Sequence, residues 1–90
     1  MDVCFANKRY KLVFTDHARQ RMSVRDVTIE MSIAIIETGT VITKERKGRF
    51  WVYKNLPGRT DNSVCLSIVV EDPNLVVVTA LINWRPNDED

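Results

Sequence analysis

The chain is poor in the residues that interrupt or staple a backbone. Three glycines, three prolines and two cysteines in 90 residues exclude a low-complexity or disordered composition and leave no disulfide framework. Cys4 and Cys65 have no CxxC partner. With a single histidine in the chain, they supply too few ligands for zinc unless carboxylates join. Two reduced thiols on or near strands are expected, and a disulfide only if those strands are neighbours. No apolar run approaches the ~18 residues of a membrane span. The start, Met1-Asp2-Val3-Cys4-Phe5, has no basic region followed by an apolar one and does not read as a signal peptide. A cytoplasmic protein with no membrane contact is therefore expected. A Gly-rich phosphate loop, a paired-carboxylate spacing and a Ser/His/Asp set are all missing. Neither a metal nor a cofactor is expected.

What remains is an ordinary globular composition, 44% hydrophobic and 28% charged, of a length that suits one domain with modest stability. That domain should span residues 1–86, with 87–90 a flexible acidic tail. The net charge is only +1, but it is unevenly spread. Residues 1–60 hold 12 of the 13 Lys and Arg against six acids, a balance of +6; residues 61–90 hold Arg85 against six acids, a balance of −5. Such asymmetry suggests a basic surface.

Hydrophobic periodicity gives the element order. Residues 3–14 alternate as a strand, with Asn7-Lys8 as a bend or bulge. Thr15 or Asp16 caps a short helix, and Val24 and Val27 pack the connection that follows. Thr28 caps a second helix over Ile29–Thr38, with Ile29, Ile33 and Ile36 as its apolar stripe. Gly39 stands where a left-handed helix stop is wanted. Strands follow at Thr40–Glu45, Arg49–Lys54, Val64–Glu71 and Leu75–Trp84. The KERKGR turn, the Asn55–Asn62 loop and Asp72-Pro73-Asn74 separate them. The order β-α-α-β-β-β-β implies an α+β fold. Two N-terminal helices should pack on one face of a mostly antiparallel four- or five-stranded sheet, leaving the other face, or the edge beside the first helix, open to a ligand.

One stretch concentrates the chemistry: Thr15-Asp16-His17-Ala18-Arg19-Gln20-Arg21-Met22-Ser23-Val24-Arg25. It holds the only histidine and three of the eight arginines. On a helix, Ala18 and Met22 stack on one face, and His17 and Arg21 stack on another.

The segment H-A-x-x-R-M-x-x-R, from His17 to Arg25, fixes five positions in nine. With Thr15 before it, Val27-Thr28 after it, Gly48-Arg49-Phe50 and Tyr53 further on, and Val77-Val78-Thr79-Ala80 with Arg85 near the end, the chain resembles a bacterial family of small uncharacterised domains associated with RelE and BrnT type ribonuclease toxins. The resemblance implies a RelE-like fold and a link to RNA cleavage or to toxin–antitoxin pairs. Metal-independent cleavage needs a base for the 2′-hydroxyl and cations for the charge growing on the phosphate. On this reading the catalytic residues are His17, Arg21 and Arg49. Arg19, Arg25 and Arg85 bind RNA phosphates, and Trp51 and Tyr53 stack bases. Implied partners are RNA or the ribosome, an antitoxin protein, and a second copy paired through strand edges. The alternative is a non-catalytic protein- or RNA-interaction module. In that case His17 bonds a backbone carbonyl, the arginines pair with Asp16, Asp26 or Glu30, and the aromatics simply pack.

Overall fold

Residues 1–44 and 46–86 are described in the computed structural model. The acidic tail expected at 87–90, and Glu45, lie outside the described residues. The elements are β1 (Asp2–Phe5), β2 (Lys8–Phe14), α1 (Asp16–Val24), α2 (Ile29–Thr38), β3 (Thr40–Thr43), β4 (Arg49–Lys54), β5 (Val64–Glu71) and β6 (Asn74–Leu81). The fold is α+β, with both helices packed on one sheet. Among the described residues, no helix is long and apolar enough to cross a membrane.

Among the described residues the sheet has six strands in the order β1-β2-β6-β5-β4-β3, more than the four or five expected. The extra strand comes from residues 3–14, which form a hairpin and not one bent strand. Ala6 (φ 54°) and Asn7 (φ 65°) are consecutive left-handed residues, the signature of a two-residue type I′ turn. Alanine at the first turn position hides that signal. All neighbouring pairs are antiparallel except β2 and β6, which run parallel through Phe14↔Val77. β6 also ends earlier than Trp84. Asn83 turns with φ 53°, and Asn83 N–H and Trp84 N–H donate to the Asp61 and Ser63 carbonyls at 2.7 and 3.0 Å.

Strand alternation sorts side chains between two faces. Val3, Phe5, Tyr10, Leu12, Val52, Val64, Leu66, Ile68, Leu75, Val77 and Ala80 point inward and form one continuous core with Ala18, Met22, Val27, Ile35 and Ile36 of the helical layer. β1 and β4 are far apart in strand order, yet the Phe5 and Phe50 rings meet edge-on at 5.2 Å. The sheet therefore curls around the helices, and α2 contacts β1, β4 and β5.

α2 keeps its expected bounds, capped by Thr28 Oγ1, which accepts from Met31 N–H at 3.1 Å. Its buried line is Ser32, Ile35 and Ile36, while Ile29 is 41% exposed, so the expected stripe is rotated. Ser32 can be buried because its hydroxyl donates to the Thr28 carbonyl at 3.0 Å. Gly39 is extended (φ −79°, ψ 179°) and is not a left-handed stop. It is needed for closeness: a Cβ there would lie 2.5 Å from the Ile35 carbonyl oxygen and 2.6 Å from that of Tyr53. In the interhelical connection Val27 is buried, but Val24 is exposed. Cys4 on β1 is exposed and Cys65 on β5 is buried. Both are free thiols, since β2 and β6 separate their strands.

Candidate functional site

Beyond Val77, β6 has no strand on its β2 side among the described residues. α1 takes that flank. Thr15 N–H donates to the Val77 carbonyl at 3.1 Å, and the Thr15 hydroxyl donates to the Val78 carbonyl at 3.2 Å. The same oxygen accepts from Ala18 N–H at 3.0 Å as the helix cap. At the other end, Arg25 Nη1 donates to the Ala80 carbonyl at 2.6 Å. Groups of α1 thus replace part of a missing strand ladder. Arg25 makes this backbone contact in place of the acidic pairings open to it from sequence.

The helix geometry fixes where the other cations go. His17, Arg21 and Arg25 follow one another at four-residue steps and form a stripe that ends against β6. His17 and Arg21 are exposed, and neither has a hydrogen-bond or ion-pair partner among the described residues. Arg19 is exposed on the far side of α1, because two residues rotate the helix by about 200°.

On β4, Arg49, Trp51 and Tyr53 alternate with the buried Val52 and so occupy the sheet face turned away from the helices. The Trp84 ring folds over that face, 5.8 Å from Trp51 and 5.1 Å from Tyr53 between centroids. Lys44 Nζ lies 3.7 Å from the Trp51 centroid, a cation–π distance. This cluster closes over Cys65, which pairs with Tyr53 on one side and Leu81 on the other. Burial pushes the Cys65 thiol up to about 12, against smaller opposing effects of a backbone hydrogen bond and the Lys44 charge.

The expected residues therefore fall into separate groups. His17 and Arg21 share the α1 stripe. Arg49 and Trp51 share the outer sheet face, but β5 and β6 stand between β4 and α1, and β4 and β6 alone are roughly 10 Å apart. Arg49 pairs with Val69, whereas Arg85 follows the residue bonded to Ser63. Six residues of extended chain separate those points, roughly 20 Å, so Arg49 and Arg85 sit at opposite ends of the sheet. An open hollow of about 530 Å³ lies between the β1–β2 turn, the carboxyl end of α2 and Val41. A smaller one of about 320 Å³ is lined by Gly39, Tyr53 and Ser63, among others. Neither is lined by His17, Arg21, Arg49 or Arg85. Among the described residues, no cluster of three His, Cys, Asp or Glu is placed to hold a metal ion.

Sequence reading missed Arg59. Its Nε and Nη2 grip Asp61 at 2.7 and 2.8 Å, while Nη1 and Nη2 donate to the Asp26 and Arg25 carbonyls at 2.6 and 2.7 Å. The hydrogen bond from Arg59 holds the Asp61 carboxyl below its ordinary range. This arginine straps the loop before β5 to the end of α1. The Arg-x-Asp spacing at 59–61 was its only trace in sequence.

A family model for a domain of unknown function, DUF4258, matches residues 14–82. The chain belongs to the DUF4258 family. No curated protein and no solved structure matches it. The DUF4258 match begins at the last residue of β2 and ends just after β6. It takes in the α1 stripe, Arg49, Trp51, Tyr53 and the Arg59 strap, and leaves out Trp84 and Arg85.

Proposed function

We propose that this DUF4258 domain acts on RNA, as a metal-independent endoribonuclease of the RelE/BrnT toxin type. One observation carries the reading: His17 and Arg21 stand one turn apart on an exposed helix face, unpaired among the described residues, inside the family match. An imidazole beside a guanidinium has the parts that 2′-hydroxyl attack requires. His17 takes the 2′ proton, the 2′-oxygen bonds to phosphorus, and the bond to the 5′-oxygen breaks with a proton supplied from solvent. Arg21 holds the phosphate oxygens as their charge grows. Arg49, and Lys44 over the half-buried Trp51 ring, offer phosphate contacts for a single strand that crosses the outer sheet face.

A second reading is binding without cleavage. Its support is that no acidic or second imidazole group is bonded to His17 among the described residues. Expression in a bacterial host separates the two. The nuclease reading expects growth arrest and RNA fragments, both relieved by His17→Ala or Arg21→Ala at unchanged thermal stability, since both side chains are exposed. Normal growth at high expression, with intact RNA on and off ribosomes, refutes it. Salt-sensitive RNA retention without fragments would leave the binding module.

A further inference from the structure

The two edges of the curled sheet are treated differently. On β1 the outward Cys4 N–H is occupied by Glu37 Oε2 at 3.0 Å. The strand is flanked by charge at Asp2, Lys8 and Arg9, a guarded edge. β3 carries no charge of its own, and its Val41 borders the open hollow beside the β1–β2 turn. Its residues are Thr40-Val41-Ile42-Thr43, none charged, and Val41 is 45% exposed. The β3–β4 register pairs Thr40 with Tyr53 and Ile42 with Trp51, and Lys44 N–H donates to the Arg49 carbonyl at 3.2 Å. Antiparallel ladders alternate, so Thr40, Ile42 and Lys44 bond inward to β4. Val41 and Thr43 turn N–H and C=O outward, and none of these four groups has a partner among the described residues.

We propose that β3 is a dimerisation strand that pairs antiparallel with β3 of a second copy of this chain, across a two-fold axis at Ile42. A two-fold between sheet edges must run perpendicular to the sheet, so inner faces stay continuous. Residues of equal parity must then meet. Centring on Ile42 sets Val41 against Thr43 of the second copy and Thr43 against its Val41. This register uses every outward group in four hydrogen bonds. Ile42 meets its own counterpart as a non-hydrogen-bonded pair, where side chains approach closest. Charge favours a second copy over an unrelated strand. The antiparallel arrangement lays the cationic turn of each copy, with Arg46 and Lys47, beside the carboxyl end of α2 of the other. There Glu37 and the negative pole of the helix lie, and α2 has no basic residue in its last turn. The two cationic turns are themselves held at opposite ends of the joint.

The test is sedimentation of the full chain over a concentration series, combined with cysteine cross-linking in a Cys4→Ser background. A reversible monomer–dimer equilibrium is expected. Thr43→Pro removes one outward donor per copy without touching the β4 ladder, so dimerisation should weaken roughly 30-fold from two lost hydrogen bonds. Ile42→Cys should form an intermolecular disulfide on mild oxidation, and Thr40→Cys should not, because Thr40 faces Lys44 of the other copy. The two cysteine variants keep the outcome readable if the proline variant fails to fold. A chain that stays monomeric at all concentrations, a dimer unaffected by Thr43→Pro, cross-linking equal at positions 40 and 42, or an edge occupied only by a different protein would each overturn the proposal.

Discussion

Removing the Arg59 side chain should loosen the joint between α1 and the loop before β5. Arg59 is 11% exposed in its side chain and makes two bonds to main-chain carbonyls, those of Arg25 and Asp26, at 2.7 and 2.6 Å. Arg59→Ala leaves both oxygens with only what water can reach. At ~1–1.5 kcal/mol per bond, the upper part of the ordinary range because water reaches the Asp26 end, the loss is about 2–3 kcal/mol before the Asp61 pair is counted. For a domain of this size that lowers the melting temperature by roughly 10–20 °C. Arg59→Lys keeps a charge but not the fork, and should recover less than half of the loss. Urea titration and thermal melting followed by circular dichroism read both variants. The pH dependence gives an internal check. The Asp61 carboxyl titrates below its usual 3.8 in the folded chain because Arg59 bonds it. The pair's stabilisation is therefore present above that value and lost as pH falls through the folded one. Arg59→Ala should flatten this acid limb. A loss below ~0.5 kcal/mol, or an unchanged acid limb, would show that Arg59 does not strap the loop.

Two further outcomes follow from packing. Gly39→Ala should cost about 2–3 kcal/mol in urea titration, because its Cβ meets two backbone oxygens that cannot rotate away; a neutral result would contradict the close approach of α2 and β4. One thiol, Cys4, should react with a disulfide reagent at pH 8 in the folded chain and two after denaturation, since Cys65 is buried and its thiol is pushed up to about 12. With the folded value raised above 9.0, the Cys65 share of stability is intact below pH ~9 and lost towards 12, at up to about 1.4 kcal/mol per unit, a slope that Cys65→Ala should remove.

Periodicity reported the strands and helices wherever one face is buried. α2, β4 and β5 carry the bounds read from sequence, because their apolar spacing and their caps are local properties. Apart from one local turn, the errors lie where a distant partner decides. The Ala6-Asn7 turn has no glycine to announce it. The burial of Ser32 in place of Ile29 depends on which side of α2 the curled sheet reaches. Trp84 reads as the end of a strand, but the carbonyls of Asp61 and Ser63 draw it across the outer face. The parallel β2–β6 pair was equally invisible, since the chain passes through both helices and three strands before it returns. The α1 stripe was legible from the four-residue spacing alone. Its distance from Arg49 was not, because that depends on strand order.

The same strand order divides the arginines by what they can do. Arg25 donates to the Ala80 carbonyl of β6, and Arg59 donates to the Arg25 and Asp26 carbonyls at the end of α1 and to the Asp61 carboxylate, so their charge is committed to holding the helix against the sheet and the loop. Arg21 lies one turn earlier on the Arg25 side of the helix and inherits a fixed position from that anchoring while remaining exposed. Arg19, two residues from His17, is carried to the opposite side by the helix twist. On the proposed RNA reading, a strand held by His17 and Arg21 runs along the seam between α1 and β6, and one long enough to reach Trp51 must cross β6 and β5 over their outer face. Residues of that face, Val69, Val76 and Thr79, are half-buried and uncharged. On that reading affinity along the path comes from its two cationic ends, His17 with Arg21 and Arg49 with Lys44, with nothing in between to read sequence by charge. If the proposed action on RNA holds, this geometry calls for a single strand held at two separated points, with the intervening nucleotides free to bend towards His17.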